Sequence, residues 1–161
     1  MILNELFSGK NNMKTCYVNR PVLNKEAVRD WARANGFRST LPGEDFHVTL
    51  VYSKKPFDWS KVSPDQNVLY IEPDTRRELH VFDGGATVVH FKDERLDQRW
   101  ADIIKMGAGT SYPTYKAHVT ITYKGKPARA IAYPGELILG PENWQEINDD
   151  WRDGMAEVPL G

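Results

Sequence analysis

Cysteine occurs once in this chain, at Cys16. No disulfide can form within the chain, and a zinc site built on clustered cysteines is excluded. Long apolar runs are missing too. Nothing approaches the ~20 residues that cross a bilayer as a helix, and no apolar segment with a small-residue cleavage site follows Met1. These absences read as a cytoplasmic chain that meets no membrane. There is also no surplus of positive charge: 21 basic side chains stand against 22 acidic ones, a formal net charge of -1. Proteins that track long nucleic acid carry a basic excess to displace counterions, so a large RNA or DNA footprint is not expected. A small anionic ligand held by a local basic patch is compatible. Four histidines are present, without a His-x-x-x-His pair or a second cysteine to complete a metal-ligand set. His80 and His90 alternate with apolar residues and read as structural or surface positions, and neither a metal nor a cofactor is expected.

What is present is a repeat. Residues 47–56 read HVTLVYSKKP and residues 118–127 read HVTITYKGKP, with six of ten positions identical. Each block begins eleven residues after a glycine, Gly36 or Gly107, that closes a helical pattern. Strand alternation places His47 and Thr49 on one face, with Val48, Leu50 and Tyr52 on the other, and His118 and Thr120 follow the same geometry.

Around the repeat, the 161 residues, 40% of them hydrophobic with a mean hydropathy of -0.56, form one globular domain over 14–152. Residues 1–13 read as a loosely ordered extension and 153–161 as a C-terminal tail. A strand at 15–19 stops at Pro21. Asn24 is placed to cap a helix through Asn35, whose Val28, Trp31 and Ala32 share a face. The first His-x-Thr strand covers 46–53, and residues 54–65, with Pro56 and Pro64, read as a loop. Strands follow at 68–72, 78–82 and 86–91, the last two joined by an Asp83-Gly84-Gly85 hairpin. Asp93 caps a second helix through Met106, with Leu96, Trp100, Ile103 and Ile104 in an apolar stripe. The second His-x-Thr strand spans 117–123 and a last strand 136–139, before a polar tail from Gly140 that carries Trp144 and Trp151. Strands and helices mix without regular βαβ alternation, which favours α+β. The paired helix-glycine-strand units suggest two lobes related by an approximate two-fold, with antiparallel sheets lining a central cleft and helices outside.

Two imidazoles facing one site supply what phosphodiester cleavage needs. A neutral histidine takes the proton of the attacking hydroxyl or water, and a protonated one gives a proton to the leaving oxygen. Both states are accessible near neutrality, because unperturbed imidazole titrates at about 6.5. A threonine hydroxyl two residues on, on the same face, can donate to a non-bridging phosphate oxygen and stabilise the charge that builds there. One His-x-Thr on a strand is ordinary, but two copies in matching contexts are not. Lys54, Lys55, Lys124, Lys126 and Arg129 follow the two strands and would gather at one end of the site if the strands are neighbours.

The two motifs, His47-Val48-Thr49-Leu50 and His118-Val119-Thr120-Ile121, resemble the signature of the two-histidine (2H) phosphoesterase superfamily, a pair of H-x-[ST]-x motifs among apolar residues. The segments Tyr17 to Leu23, Leu41 to Thr49, Tyr112 to Thr120 and Glu146 to Trp151 are similar to the phage anti-CBASS nuclease branch, over about residues 14–152. The resemblance implies a metal-independent phosphodiesterase that hydrolyses 3′–5′-linked cyclic di- and trinucleotide signals, such as 3′,3′-cGAMP, in the cytoplasm of the infected host. It makes His47 and His118 the acid/base pair and Thr49 and Thr120 the phosphate donors. It also implies that Tyr17 lines the pocket, that Trp151 packs on a base, and that Glu146 contacts a base, with Gln145 as the rival position. Tyr115 is a further stacking candidate, and no obligate protein partner is evident. Two other activities fit the same motifs: hydrolysis of 2′,3′-cyclic phosphates on RNA, and non-catalytic capture of cyclic nucleotides or a phage structural role.

Overall fold

In a computed structural model that describes residues 13–148 and 156–161, strands and two amphipathic helices account for about half of the described residues. Ten strands form among the described residues: β1 (Met13–Pro21), β2 (Ser39–Thr40), β3 (His47–Asp58), β4 (Leu69–Ile71), β5 (Arg77–Val81), β6 (Thr87–Phe91), β7 (His118–Thr122), β8 (Leu137–Leu139), β9 (Asn143–Gln145) and β10 (Val158–Pro159). The α-helices among the described residues are α1 (Lys25–Ala34) and α2 (Glu94–Lys105). One six-stranded antiparallel sheet, in the order β5-β6-β7-β3-β1-β9, carries both His-x-Thr strands at its centre. Two ribbons, β10-β2 and β4-β8, complete the α+β architecture.

Alternation sends Val48, Leu50, Val119 and Ile121 into one core, where the buried stripes of α1 (Val28, Trp31, Ala32) and α2 (Leu96, Ile103) join them. The His and Thr side chains of both motifs are thereby left on the opposite face of the central strands. Gly36 and Gly107 end the two helices with φ of 84° and 123°, backbone that β-carbons resist. Asp93 caps α2 as its sequence position suggests, accepting from the backbone N–H of Arg95 and Leu96. Asn24 does not cap α1. Its amide donates to the Glu136 carbonyl at 2.7 Å and its Oδ1 accepts from Ile138 N–H at 3.0 Å, so it stitches the helix start to β8 instead.

Three expectations change. The segment 54–58, read as loop, extends β3, because β1 begins at Met13 and pairs Met13 with Asp58 and Lys14 with Phe57. Pro56 is tolerated because it falls in the irregularity between those pairs and Cys16↔Ser53. Tyr52 is not on the apolar face. β1 pairs Val18 with Val51 but Asn19 with Thr49, which leaves Leu50 as an extra residue on β3. This bulge buries Leu50 and Val51 in succession and turns Tyr52 to the His-Thr face. The stretch after Gly140 is not a free tail either: β9 pairs along β1, and Trp144 packs against Phe57 and Trp59 at ring separations of 6.3 and 5.7 Å. Beyond the undescribed 149–155, β10 pairs with β2, and Glu157 accepts hydrogen bonds from Ser39, Thr122 and the Tyr123 backbone.

A buried ion cluster anchors this region, and no periodicity announces it. Arg20, 1% exposed, donates to Asp65, to the Asn67 carbonyl and to the Gly140 carbonyl. Glu142, its side chain fully enclosed, accepts two bonds from Arg99, one from Asp65 N–H and one from Trp144 Nε1.

Candidate active site

β3 and β7 are antiparallel and in register at Val48↔Val119. That single pairing decides the site. One step to either side, Thr49 falls opposite His118 and His47 opposite Thr120, so each histidine faces the other motif's threonine. On one sheet face, opposed side chains stand about 4.5–5.5 Å apart at Cβ and diagonal ones about 7–8 Å. The two histidines occupy one diagonal of a four-residue rectangle and the two threonines the other.

Each imidazole is held in the same way. His47 Nδ1 lies 2.7 Å from the Asp45 carbonyl, and His118 Nδ1 lies 3.0 Å from the Lys116 carbonyl, in both cases two residues earlier. A carbonyl only accepts, so both Nδ1 atoms carry the proton. Nε2 is then the nitrogen free to exchange a proton with a ligand. At His47 it receives the Tyr17 hydroxyl at 2.7 Å, and the same hydroxyl lies 3.4 Å from Thr49 Oγ1. Burial pushes the Tyr17 phenol above its ordinary range, which keeps it a donor. Burial lowers the His47 pKa from 6.5, and the nearby His118 lowers it further, against the opposing hydrogen bond to the Asp45 backbone. His47 is therefore neutral around pH 7.

The register extends the row on both sides. His90 on β6 pairs with His118, and Glu78 on β5 pairs with His90. Asn19 on β1 pairs with Thr49, and Asn143 on β9 with Asn19. The His90 ring stands 5.6 Å from that of His118 at 64°, and burial, then His118, holds its pKa below the usual imidazole value. Neither His90 nor Asn19 was identified from the sequence, because which strand lies alongside β7 or β3 is a tertiary matter.

Of the other candidates, Tyr17 reaches the centre directly. Tyr115 donates its hydroxyl to the Thr49 carbonyl at 2.7 Å, and one face of its ring is covered by Trp100, 6.0 Å away and nearly parallel. It holds β3 in place more directly than it offers a stacking surface. Gln145 pairs with Tyr17 on the edge of the sheet, whereas Glu146 is exposed one residue past the end of β9. Trp151 lies outside the described residues.

From Thr49 and His118 a cleft of about 1250 Å³ runs across β6 and β5, bounded by the loop 109–116. That volume exceeds the 300–1,000 Å³ usual for a drug-sized ligand, by order of magnitude room for about a dinucleotide. Five cations, Lys54, Lys55, Arg76, Lys92 and Lys116, line it against two carboxylates, Glu78 and Asp97. The expected gathering of Lys54, Lys55, Lys124 and Lys126 at one end does not occur. Antiparallel strands leave the site in opposite directions, so Lys124 and Lys126 line a separate small hollow with Gly36 to Ser39. Among the described residues no group of three or more His, Cys, Asp or Glu side chains is arranged to hold a metal ion, and no helix is long and apolar enough to cross a membrane.

This sheet, with paired His-x-Thr motifs on its two central strands, has the fold of the 2H phosphoesterases. It is similar to a crystal structure described as a phosphoesterase, with a TM-score of 0.60 at 13% identity over 92% of this chain and 96% of that one. Escherichia coli LigT in its apo form gives 0.56 at 12% identity, over 93% and 96%. At such identities the likeness is one of fold. Within that fold, the chain belongs to the anti-CBASS protein Acb1 family, whose sequence profile matches residues 14–154. Relatives bearing that name are 37% identical over 152 residues in Sphingomonas paeninsulae and 32% over 150 in Caulobacter sp. (strain RHG1). Each match covers 88% of this chain but only 24% of the relative, so the chain spans about a quarter of their length. An Escherichia phage RB16 relative is 25% identical over 135 residues, 78% of this chain and 75% of that protein.

Proposed function

We propose that the protein is a phosphodiesterase that opens 3′–5′-linked cyclic di- and trinucleotides, and that this cleavage is how it counters CBASS immunity. The observation that carries this reading is the diagonal crossing of the motifs, with both Nδ1 atoms tied to carbonyls and both Nε2 atoms left for proton transfer. A phosphodiester at the centre has its attacking and leaving oxygens next to opposite histidines, and its non-bridging oxygens next to Thr49 and Thr120. His47, kept neutral by burial, takes the proton of the attacking hydroxyl or water. His118, on the open side beside the cleft, gives a proton to the departing ribose oxygen. The threonine hydroxyls donate to the oxygens on which charge accumulates. These steps assign every proton to a side chain and call for no metal. Tyr17 must release His47 Nε2 when the nucleophile arrives, and its hydroxyl can turn to Thr49 or to the phosphate. Gln145, beside Tyr17, is better placed than Glu146 to meet a base, and Trp151 is proposed to pack on one. The five cations of the cleft suit an anionic ligand in a chain of net charge -1.

The test is incubation with a 3′–5′ cyclic dinucleotide and, separately, with RNA ending in a 2′,3′-cyclic phosphate, both in EDTA. Linear product from the first substrate is expected. Turnover of the RNA end alone would overturn the substrate, and recovery of intact cyclic dinucleotide after heat denaturation would point to capture without cleavage. His47→Ala and His118→Ala should each abolish cleavage while the thermal transition persists, and near wild-type rates in either would refute the paired mechanism.

A further inference from the structure

Beyond His118 the sheet continues for two strands that the cleavage chemistry does not use. Register keeps β5 and β6 on the reactive face: Glu78 pairs with His90, His90 with His118, and Phe82, two residues after His80, lies on that face as well. Phe82 is 43% exposed, and its ring meets His80 at 4.7 Å, His90 at 6.1 Å and His118 at 6.4 Å, edge to face each time. The core does not account for a large aromatic left in water beside a reactive imidazole. At the other end of β5, just before Arg77, is Arg76, an exposed guanidinium lining the same cleft with no hydrogen-bond or ion-pair partner among the described residues. Its neighbour Lys92 is paired with Asp97 at 3.0 Å, which leaves Arg76 as the uncommitted cation of this wing.

We infer that this wing is a second nucleotide subsite: Phe82, backed by His80, stacks the base of the residue that is not being cleaved, and Arg76 meets its phosphodiester. The inference rests on the cyclic-oligonucleotide reading above and extends it. A cyclic dinucleotide presents two phosphates and two bases from one ring. With one phosphate between the histidines, its other half lies either over β1 and β9 or over β6 and β5. The cleft opens over β6 and β5, and the unpaired charge and bare ring are there. Stacking accepts any base, because every base has a π-face. The subsite therefore recognises a second nucleotide without fixing its identity, and a mononucleotide seated at the histidines does not need it.

Equilibrium binding separates these ideas. The background is His47→Ala, which holds ligand without cleaving it, and the probes are 3′,3′-cGAMP and 3′-AMP. Phe82→Ala is expected to weaken cyclic dinucleotide binding by about 5- to 150-fold, the range for loss of one stacking partner. Arg76→Ala should weaken it several-fold and flatten its salt dependence. Both should leave the 3′-AMP affinity within about twofold. Thermal melting of each variant checks that the exposed substitutions keep the fold. Unchanged cyclic dinucleotide affinity, or equal weakening of both probes, would overturn the subsite. Cleavage is read separately on the wild-type protein. Tight, Phe82-dependent binding without wild-type turnover would sink the catalytic reading and leave the subsite standing; turnover with Phe82-independent binding would do the reverse.

Discussion

Replacing Glu142 with glutamine changes almost no volume and removes one buried charge. In the native protein that carboxylate accepts from Arg99 Nε and Nη2 at 2.8 Å each, from Asp65 N–H at 2.8 Å and from Trp144 Nε1 at 3.0 Å, with Arg20 Nη2 at 3.7 Å. In Glu142→Gln two guanidiniums share one remaining carboxylate, Asp65, and the new amide turns an N–H₂ toward donors. Breaking a buried pair by removing one partner costs about 3–5 kcal/mol. The low end applies, because Arg20 keeps Asp65 at 2.7 Å and the Arg99 side chain is 23% exposed. About 3 kcal/mol corresponds to a drop in melting temperature of about 6–12 °C at this chain length. Urea unfolding followed by circular dichroism, with the midpoint converted at constant m, reads the change directly. Asp30→Ala, which breaks an exposed pair with Arg33, is the control and should cost less than about 1 kcal/mol. A Glu142→Gln loss no larger than the control's would show that the cluster contributes no more than a solvated pair. The effect also has a pH signature. Burial alone would raise the Glu142 pKa, but the bonds from Arg99, the Asp65 backbone and Trp144 outweigh it and hold it below 4.5. Its contribution is complete above the unfolded carboxylate's pKa and is lost as pH falls through the lower, folded value. Wild type and variant should converge in stability on the acid side.

Three further outcomes follow from the geometry. The lowered His47 pKa places the acid limb of kcat/KM below pH 6.5, since activity rises as the base loses its proton; an acid limb above 6.5 would contradict the assignment, bearing in mind that the limbs belong to the histidine pair. Tyr115→Phe deletes the hydroxyl that holds the Thr49 carbonyl and should lower kcat by about two- to tenfold, the equivalent of one ordinary hydrogen bond, with KM little changed; a KM effect alone would recast Tyr115 as a binding residue. At the β5–β6 hairpin, Gly85→Ala would set a Cβ 2.5 Å from the Tyr123 carbonyl oxygen at φ 97°, whereas at Gly84 (φ 90°) a Cβ meets nothing within 4 Å. Thermal melting should therefore rank Gly85→Ala as clearly the more damaging, and equal losses would refute the steric argument.

Much of the site was legible from local pattern. Period-two alternation put His and Thr of each motif on one face, the two apolar stripes marked the helices, and Asp93 and Gly107 marked the ends of the second one. Local pattern failed where a residue's role depends on a distant partner. Asn24 has the chemistry of a cap, yet Ile138 on β8 and Glu136 just before it offer two backbone groups that compete with the helix end. β9 is three residues long, too short to show a period, and is recognisable only from the Glu142 cluster and the Trp144 contacts around it.

The sequence by itself determined that the histidine and threonine of each motif share a strand face, because alternation over three residues is a property of the strand alone. Only the tertiary structure decided that Val48 pairs with Val119, which crosses the two motifs so that each histidine faces the other's threonine. It likewise decided the Leu50 bulge that brings Tyr52 to the site, the antiparallel exits that separate Lys54 and Lys55 from Lys124 and Lys126, and the placement of His90 beside His118. Register and neighbouring strands are set by long-range pairing over a shared core, and no local stretch of residues carries that information.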